Sequence, residues 1–211
     1  MTHYNTIAGR NVRRIEALSD GVFAIAITLL VLEIRPPHVE ASTEGEVLSS
    51  LKPLLPKFLT YFLSFMTMGI FWVGQGVQLS NIEQYDRNLS WTTIFFLVVI
   101  SLFPFTTAFL GEYITFKIAI AVYWLNILLA GILIYFHWHY AYKRNFVSIE
   151  GEEQKKIFDK AVRKRVIVAQ TLYLLGALLC FINTYLSIGF IILVQLNYAF
   201  AIISERVTAK K

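Results

Sequence analysis

At 211 residues, with 56% hydrophobic and only 16% charged residues and a mean hydropathy of +0.58, the chain carries more apolar surface than a water-soluble protein can hide. A formal net charge of +5 would suggest nucleic acid in a soluble protein, but here the basic residues crowd into a few short stretches between long apolar runs, so the charge reads as membrane topology. The composition therefore excludes a nucleic-acid partner and a large soluble domain, and leaves one compact membrane-embedded bundle.

The first apolar run is RIEALSDGVFAIAITLLVLEI, from Arg14 to Ile34, with basic residues in front and Glu33 near its end. A spanning helix needs about 20 mostly apolar residues, and a span over about 13–34 meets that need if the Ser-Asp end sits at one interface. Met1 to Asn11 is short and polar. No small-residue cleavage site follows it and further spans come after, so the run is expected to be a retained first helix rather than a signal peptide.

On a helix of 3.6 residues per turn, Leu18, Gly21, Ile25, Leu29 and Leu32 fall on one stripe with Thr28 at its edge. The stripe serves either as a packing surface or, with several copies around an axis, as stacked apolar rings able to gate by dewetting. Periodicity does not decide between them. Ser19 and Asp20 lie more than about 100° around the helix from that stripe, and should face neighbouring helices. A carboxylate there needs a donor: Arg14 of this or an adjacent chain, with Trp72 and Gln75 as further donors. The alternative is that Ser19 or Asp20 caps the helix at the interface.

Pro36 and Pro37 stop this helix and begin an acidic loop with Glu40, Glu44 and Glu46. A second span is expected over about 54–79, and a short polar turn leads to a third over about 89–110, in which Pro104 should kink the helix or end it early. The fourth, about 116–140, ends in Tyr135, Trp138, Tyr140 and Tyr142, an interfacial aromatic belt. The charged stretch from Lys143 to Arg165 reads as a loop, partly helical, before a fifth span at about 166–182 and a sixth at about 188–203. With six spans, all Lys and Arg except Arg35, Lys52, Lys57 and Lys117 fall on the side of the two termini, which places both termini in the cytoplasm. The single cysteine, Cys180, lies in an apolar segment and reads as a small buried side chain.

Catalytic signatures are missing. The sequence has no HExxH, no GxSxG and no phosphate-binding glycine loop, and no cluster of His, Asp, Glu or Cys falls at membrane depth. His137 and His139 are two residues apart, hence on different sides of a helix, and read as interfacial rather than as a metal pair. A secondary carrier would carry an inverted repeat or a matched pair of broken helices, and Pro104 stands alone. The chain is therefore read as a non-enzyme without cofactor. Transport or conduction is favoured over catalysis, and a channel, a secondary carrier and a scaffold without a permeation path all stay open at this point.

Arg14-x-x-x-Leu18-Ser19-Asp20 followed by GVFAIAITLLVLEI resembles the Arg-x-x-x-Phe-Ser-Asp first helix of the transmembrane protein 175 potassium channels, in particular their short bacterial members. The likeness continues in GIFWVGQ of the second span and SLFPFTTAFLGEY at the end of the third. Leu18 stands where the family usually has Phe, and Gln75 where bacterial members often have His. The resemblance implies an all-α membrane protein with six transmembrane helices per chain, the first lining a central pore, in the bacterial inner membrane. It implies a potassium-selective channel without a carbonyl filter of the TVGYG type, a signature the sequence lacks. By position in the motif, Ile25 would form the main constriction, Leu29 and Leu32 further apolar layers, and Thr28 a hydroxyl ring. Arg14, Ser19, Asp20, Trp72 and Gln75 would hold the pore helix. The animal proteins carry two six-span repeats per chain and dimerise, so a single repeat implies a homotetramer. Its partners would be potassium ions, as permeating metal only, and membrane lipid.

Overall fold

The structure, a computed structural model, describes residues 12–38 and 43–200, and throughout them the regular structure is helical. Helix α1, Val12–Leu29, continues through a 3₁₀ turn, Leu30–Glu33. A short α2, Glu44–Ser50, and a 3₁₀ turn, Lys52–Leu54, precede α3, Leu55–Leu79. Then follow α4, Arg87–Ser101, α5, Phe103–Glu112, α6, Lys117–Lys143, α7, Glu152–Leu178, and α8, Thr184–Phe200. Among the described residues five helical stretches are long and apolar enough to cross a membrane: Val12–Glu33, Glu44–Leu79, Arg87–Glu112, Lys117–Lys143 and Glu152–Phe181. Thr184–Phe200 is a shorter apolar helix.

The third apolar stretch is interrupted where Pro104 demands it. Proline lacks the N–H of a helical bond, and its ring would collide with the carbonyl four residues back. The chain turns at Leu102, whose N–H bonds Val99 O at 3.2 Å, and helix resumes with Pro104 in the first turn of α5. The charged stretch, expected as a partly helical loop, is largely helix, because α7 starts at Glu152 and runs unbroken into the apolar bundle. Glu152 and Glu153 favour that start from the first turn, where the helix dipole is positive. Phe158 and Val162 pack beneath the charges against Trp138 and its buried neighbours. The Trp138 indole also donates to Asp159 Oδ1 at 3.0 Å, and Arg163 bonds the same oxygen at 2.7 Å.

The link between α6 and α7 is short and ordered. Asn145 takes φ 56°, a left-handed value that asparagine tolerates, and Phe146 N–H returns to Ala141 O at 3.0 Å to close the end of α6. Ile82 and Val147 form an isolated antiparallel bridge that ties this link to the turn before α4.

α6 packs against α3, α4, α5 and α7, and its buried residues run its whole length from Ala119 to Ala141. α3 also packs against α1, α5 and α8. The helix α1 lies at the margin, against α3, α4 and α5, and buries only Ser19, Phe23, Ala26 and the following Leu30. Arg10, Glu40, Arg206, Lys210, Lys211 and the end of the expected sixth span lie outside the described residues.

Candidate permeation path along the first helix

The two faces of α1 have opposite fates. Ser19, Phe23, Ala26 and Leu30, at helical spacing, are at most 3% exposed. Phe23 meets Phe96 of α4 at a centroid separation of 6.1 Å, and Phe71 of α3 joins the same aromatic cluster. On the other side Leu18, Ile25, Leu29 and Leu32 are 46%, 62%, 42% and 62% exposed, and Gly21 and Thr28 are exposed with them. An added Cβ on Gly21 would meet nothing within 4 Å. A stripe this apolar and this long is left without a partner among the described residues. The Thr28 hydroxyl on it donates back into the helix, to Ala24 O at 2.9 Å and Ile25 O at 2.8 Å.

Two side-chain bonds join the polar start of α1 to α3. Trp72 Nε1 donates to Asp20 Oδ1 at 2.9 Å, and Gln75 Nε2 donates to Ser19 Oγ at 3.2 Å. Ser19 and Gln75 are 1% and 3% exposed, whereas Asp20 and Trp72 lie at the surface. Trp72 and Gln75 sit one turn apart on α3, so they reach successive residues of α1 from one flank. Arg14 is exposed and has no partner among the described residues. Beside these bonds opens a cleft of about 310 Å³, lined by Glu16, Val73, Gly76 and Leu79 together with the four bonded residues.

Several buried polar chains, which the sequence reading did not single out, fix α3 in turn. Thr107 Oγ1 donates to Ser64 Oγ at 2.6 Å, Ser64 donates to the Tyr123 hydroxyl at 3.1 Å, and Gln195 Nε2 donates to Thr67 Oγ1 at 2.6 Å. Nearer the Ser19 end, Gln78 Nε2 donates to Ile134 O at 3.2 Å, which leaves Gln78 Oε1 to accept from His137 Nδ1 at 2.9 Å. The other ring nitrogen of His137 meets the Tyr85 hydroxyl, which also pairs with Thr93 Oγ1 at 2.7 Å. His137 is therefore a buried, hydrogen-bonded side chain, 3% exposed, and not an interfacial one. His139 alone lies at the helix rim, its Nδ1 2.7 Å from Arg163 Nη1. A signal for these chains exists in the sequence: Thr60, Ser64, Thr67, Gln75 and Gln78 share one face of α3 at 3.6-residue spacing.

Among the described residues no group of three or more His, Cys, Asp or Glu side chains is placed to hold a metal ion. Nothing in this arrangement offers a nucleophile with a base. It offers a spanning helix with one anchored face and one open apolar face.

Comparison with known proteins gives that helix a context. The sequence profile of the family described as the endosomal/lysosomal potassium channel TMEM175 matches residues 14–104, from the Arg14 motif to Pro104. A potassium channel of Chamaesiphon minutus is 34% identical over 190 residues, covering 88% of this chain and 92% of that protein. A potassium channel of a Chryseobacterium species is 31% identical over 186 residues, covering 87% and 90%. The human endosomal/lysosomal proton channel TMEM175 is 35% identical over 82 residues, only 16% of its length. The crystal structure of a lysosomal potassium-selective channel TMEM175 homolog from Chamaesiphon minutus superposes with a TM-score of 0.78 at 31% identity, over 90% of this chain and 97% of that one. With its all-helical fold, its exposed apolar first helix and near full-length likeness to these bacterial channels, the chain belongs to the TMEM175 family of ion channels.

Proposed function

We propose that the chain is a potassium-selective cation channel of the bacterial inner membrane, a homotetramer whose four α1 helices surround a passive pore. The observation that carries the reading is the division of α1 into a face locked to α3 and α4 and an open face bearing Leu18, Ile25, Leu29 and Leu32. Four such faces around an axis bury their apolar area against one another and enclose a passage. Ile25 then forms the narrowest ring, Leu29 and Leu32 add apolar layers, and Thr28 contributes a hydroxyl ring between them. Ser19, Asp20, Trp72 and Gln75 set the tilt and rotation of the pore helix, and Arg14 completes that network across the subunit boundary. The cleft beside Glu16 and Asp20 supports that placement, because it offers two carboxylates to a guanidinium.

A ring of isoleucines gives a cation no ligand. Passage depends on whether the ring holds water, as in other hydrophobic constrictions. Ile25→Asn is accordingly expected to wet the ring, raise single-channel conductance and weaken the preference for potassium over sodium. Unchanged current and reversal potential in single-channel recordings would refute the assignment of Ile25. Flux through purified protein in liposomes separates the function classes. Passive cation current with potassium ahead of sodium and protons is expected. Saturable uptake driven by a second ion's gradient would instead make the protein a carrier.

A further inference from the structure

The flank of α3 turned away from Trp72 and Gln75 borders a second opening. A groove of about 90 Å³ runs between α3, α6, α7 and α8, walled by Ile70, Val73, Val77, Ile134, Val166 and Ala169. Gly74 gives it depth, since a Cβ there would come no nearer than 3.8 Å to Ile134 Cδ1. At its mouth stands Arg165. The guanidinium lies 5.5 Å from the Tyr198 ring centroid, and the Tyr198 hydroxyl donates to Arg165 O at 3.4 Å, so the cation is fixed at this end of the groove by α8. The contrast with Arg163 is informative. Arg163 is neutralised by Asp159 at 2.7 Å, whereas no carboxylate lies within ion-pair distance of Arg165 among the described residues.

Within the groove two polar groups are left incomplete. Gln170 lies over Gly131, where any Cβ would collide with it, and gives its Nε2 to Ile127 O at 3.3 Å, yet its Oε1 is buried with no donor. The hydroxyl of Tyr173, a residue 2% exposed, lies beside Gln195 Oε1, and neither atom has a hydrogen bond of good geometry. Water is a poor occupant, because each molecule needs two to four polar partners and these walls are mostly apolar. A complementary ligand has an apolar chain for the groove, ester oxygens that accept from a buried hydroxyl, and an anion for Arg165. An anionic glycerophospholipid has all three, and it is already present in the medium that surrounds a spanning bundle.

We propose that this groove is a lipid site: one acyl chain of an anionic glycerophospholipid inserts between α3, α6, α7 and α8, with its phosphate on Arg165 and its ester region near the Tyr173 hydroxyl. Purified full-length protein in detergent, titrated separately with phosphatidylglycerol and with phosphatidylcholine of the same chains and read by native mass spectrometry, tests this without reference to conduction. The wild type is expected to retain one phosphatidylglycerol per chain and to bind it at least about fivefold more tightly than phosphatidylcholine, as a charge-assisted contact requires. Arg165→Gln should abolish that preference, whereas Lys160→Gln, a charge change on the same helix outside the groove, should keep it. Gly74→Leu should weaken binding of both lipids by blocking the groove. Should that variant not fold, Gly74→Ala, which adds a methyl at ordinary contact distance, should still weaken both about twofold. Equal retention of phosphatidylglycerol by the wild type and all variants, or equal loss of preference in Arg165→Gln and Lys160→Gln, would overturn the proposal.

Discussion

The bond between Gln75 Nε2 and Ser19 Oγ is the buried half of the link between α1 and α3, and a double-mutant cycle can weigh it. Ser19→Ala removes the acceptor and leaves an amide N–H in a site that is 1–3% exposed. In soluble proteins such an orphaned group costs about 1–3 kcal/mol. Hydrogen bonds between membrane helices measured by cycles are weaker, averaging about 0.6 and reaching about 1.7 kcal/mol, because the unfolded chain in a membrane also finds partners. The near-complete burial places this pair in the upper half of that range although 3.2 Å is long for an N–H···O bond, so a coupling of about 1 kcal/mol between Ser19→Ala and Gln75→Leu is expected. Each single variant should lose stability, and the double variant should lose about 1 kcal/mol less than the sum. Reversible unfolding in mixed micelles, followed by tryptophan fluorescence, gives the four free energies. All four proteins must be held at one concentration, since the proposed assembly would contribute to the stability of each. A coupling below about 0.3 kcal/mol, within the scatter of independent sites, would refute the bond and with it the anchoring of α1 through Ser19.

His137→Leu removes a partner from both Gln78 Oε1 and the Tyr85 hydroxyl, and is expected to cost about 2–4 kcal/mol, read as a melting temperature lower by about 5–15 °C. Burial pushes the Tyr85 hydroxyl well above the ordinary tyrosine range, with the Thr93 bond partly offsetting it and the Asp86 charge adding to it. The unfolded chain releases this proton near pH 10 while the folded chain keeps it, so the stabilisation is complete below about pH 10 and is lost as pH rises beyond. Melting temperatures across that range should fall for the wild type and fall less steeply for Tyr85→Phe. Gly176→Ala sets a Cβ 2.7 Å from Ile191 Cγ1 and should force α7 and α8 apart at a cost of about 1–3 kcal/mol, checked by thermal melting.

The division of α1 into faces was readable before any coordinates, because a helix at the edge of a bundle meets two different surroundings and its sequence carries both. Ser19 and Asp20 fall on the side that meets α3, and Ile25 and Leu29 on the side left exposed by the described residues. The donors were legible too, since a buried Gln75 and a Trp72 one turn apart leave few acceptors within reach. By contrast α6 is apolar around its whole circumference, so its sequence gives no inward direction. His137, beside Trp138 and His139 at an aromatic-rich end, therefore reads as interfacial although it faces the core. The first half of α7 misleads for the opposite reason. Its Lys, Arg and Glu residues suggest a loop, while the apolar residues beneath them, Phe158 and Val162, are too few to announce the face that docks on α6. Orientation and assembly depend on residues of a neighbour and a membrane, which the sequence of one chain encodes only as an unpaired surface.

In the pore proposed for α1, Thr28 would bear on the sign of whatever passes it. Its one hydroxyl hydrogen is committed to the carbonyls of Ala24 and Ile25, so the oxygen turns only lone pairs toward the open face of the helix. A freely rotating hydroxyl could offer a proton to an anion or an electron pair to a cation. Here the backbone has already made that choice, and an ion shedding water beside Thr28 finds stabilisation only if it is positive.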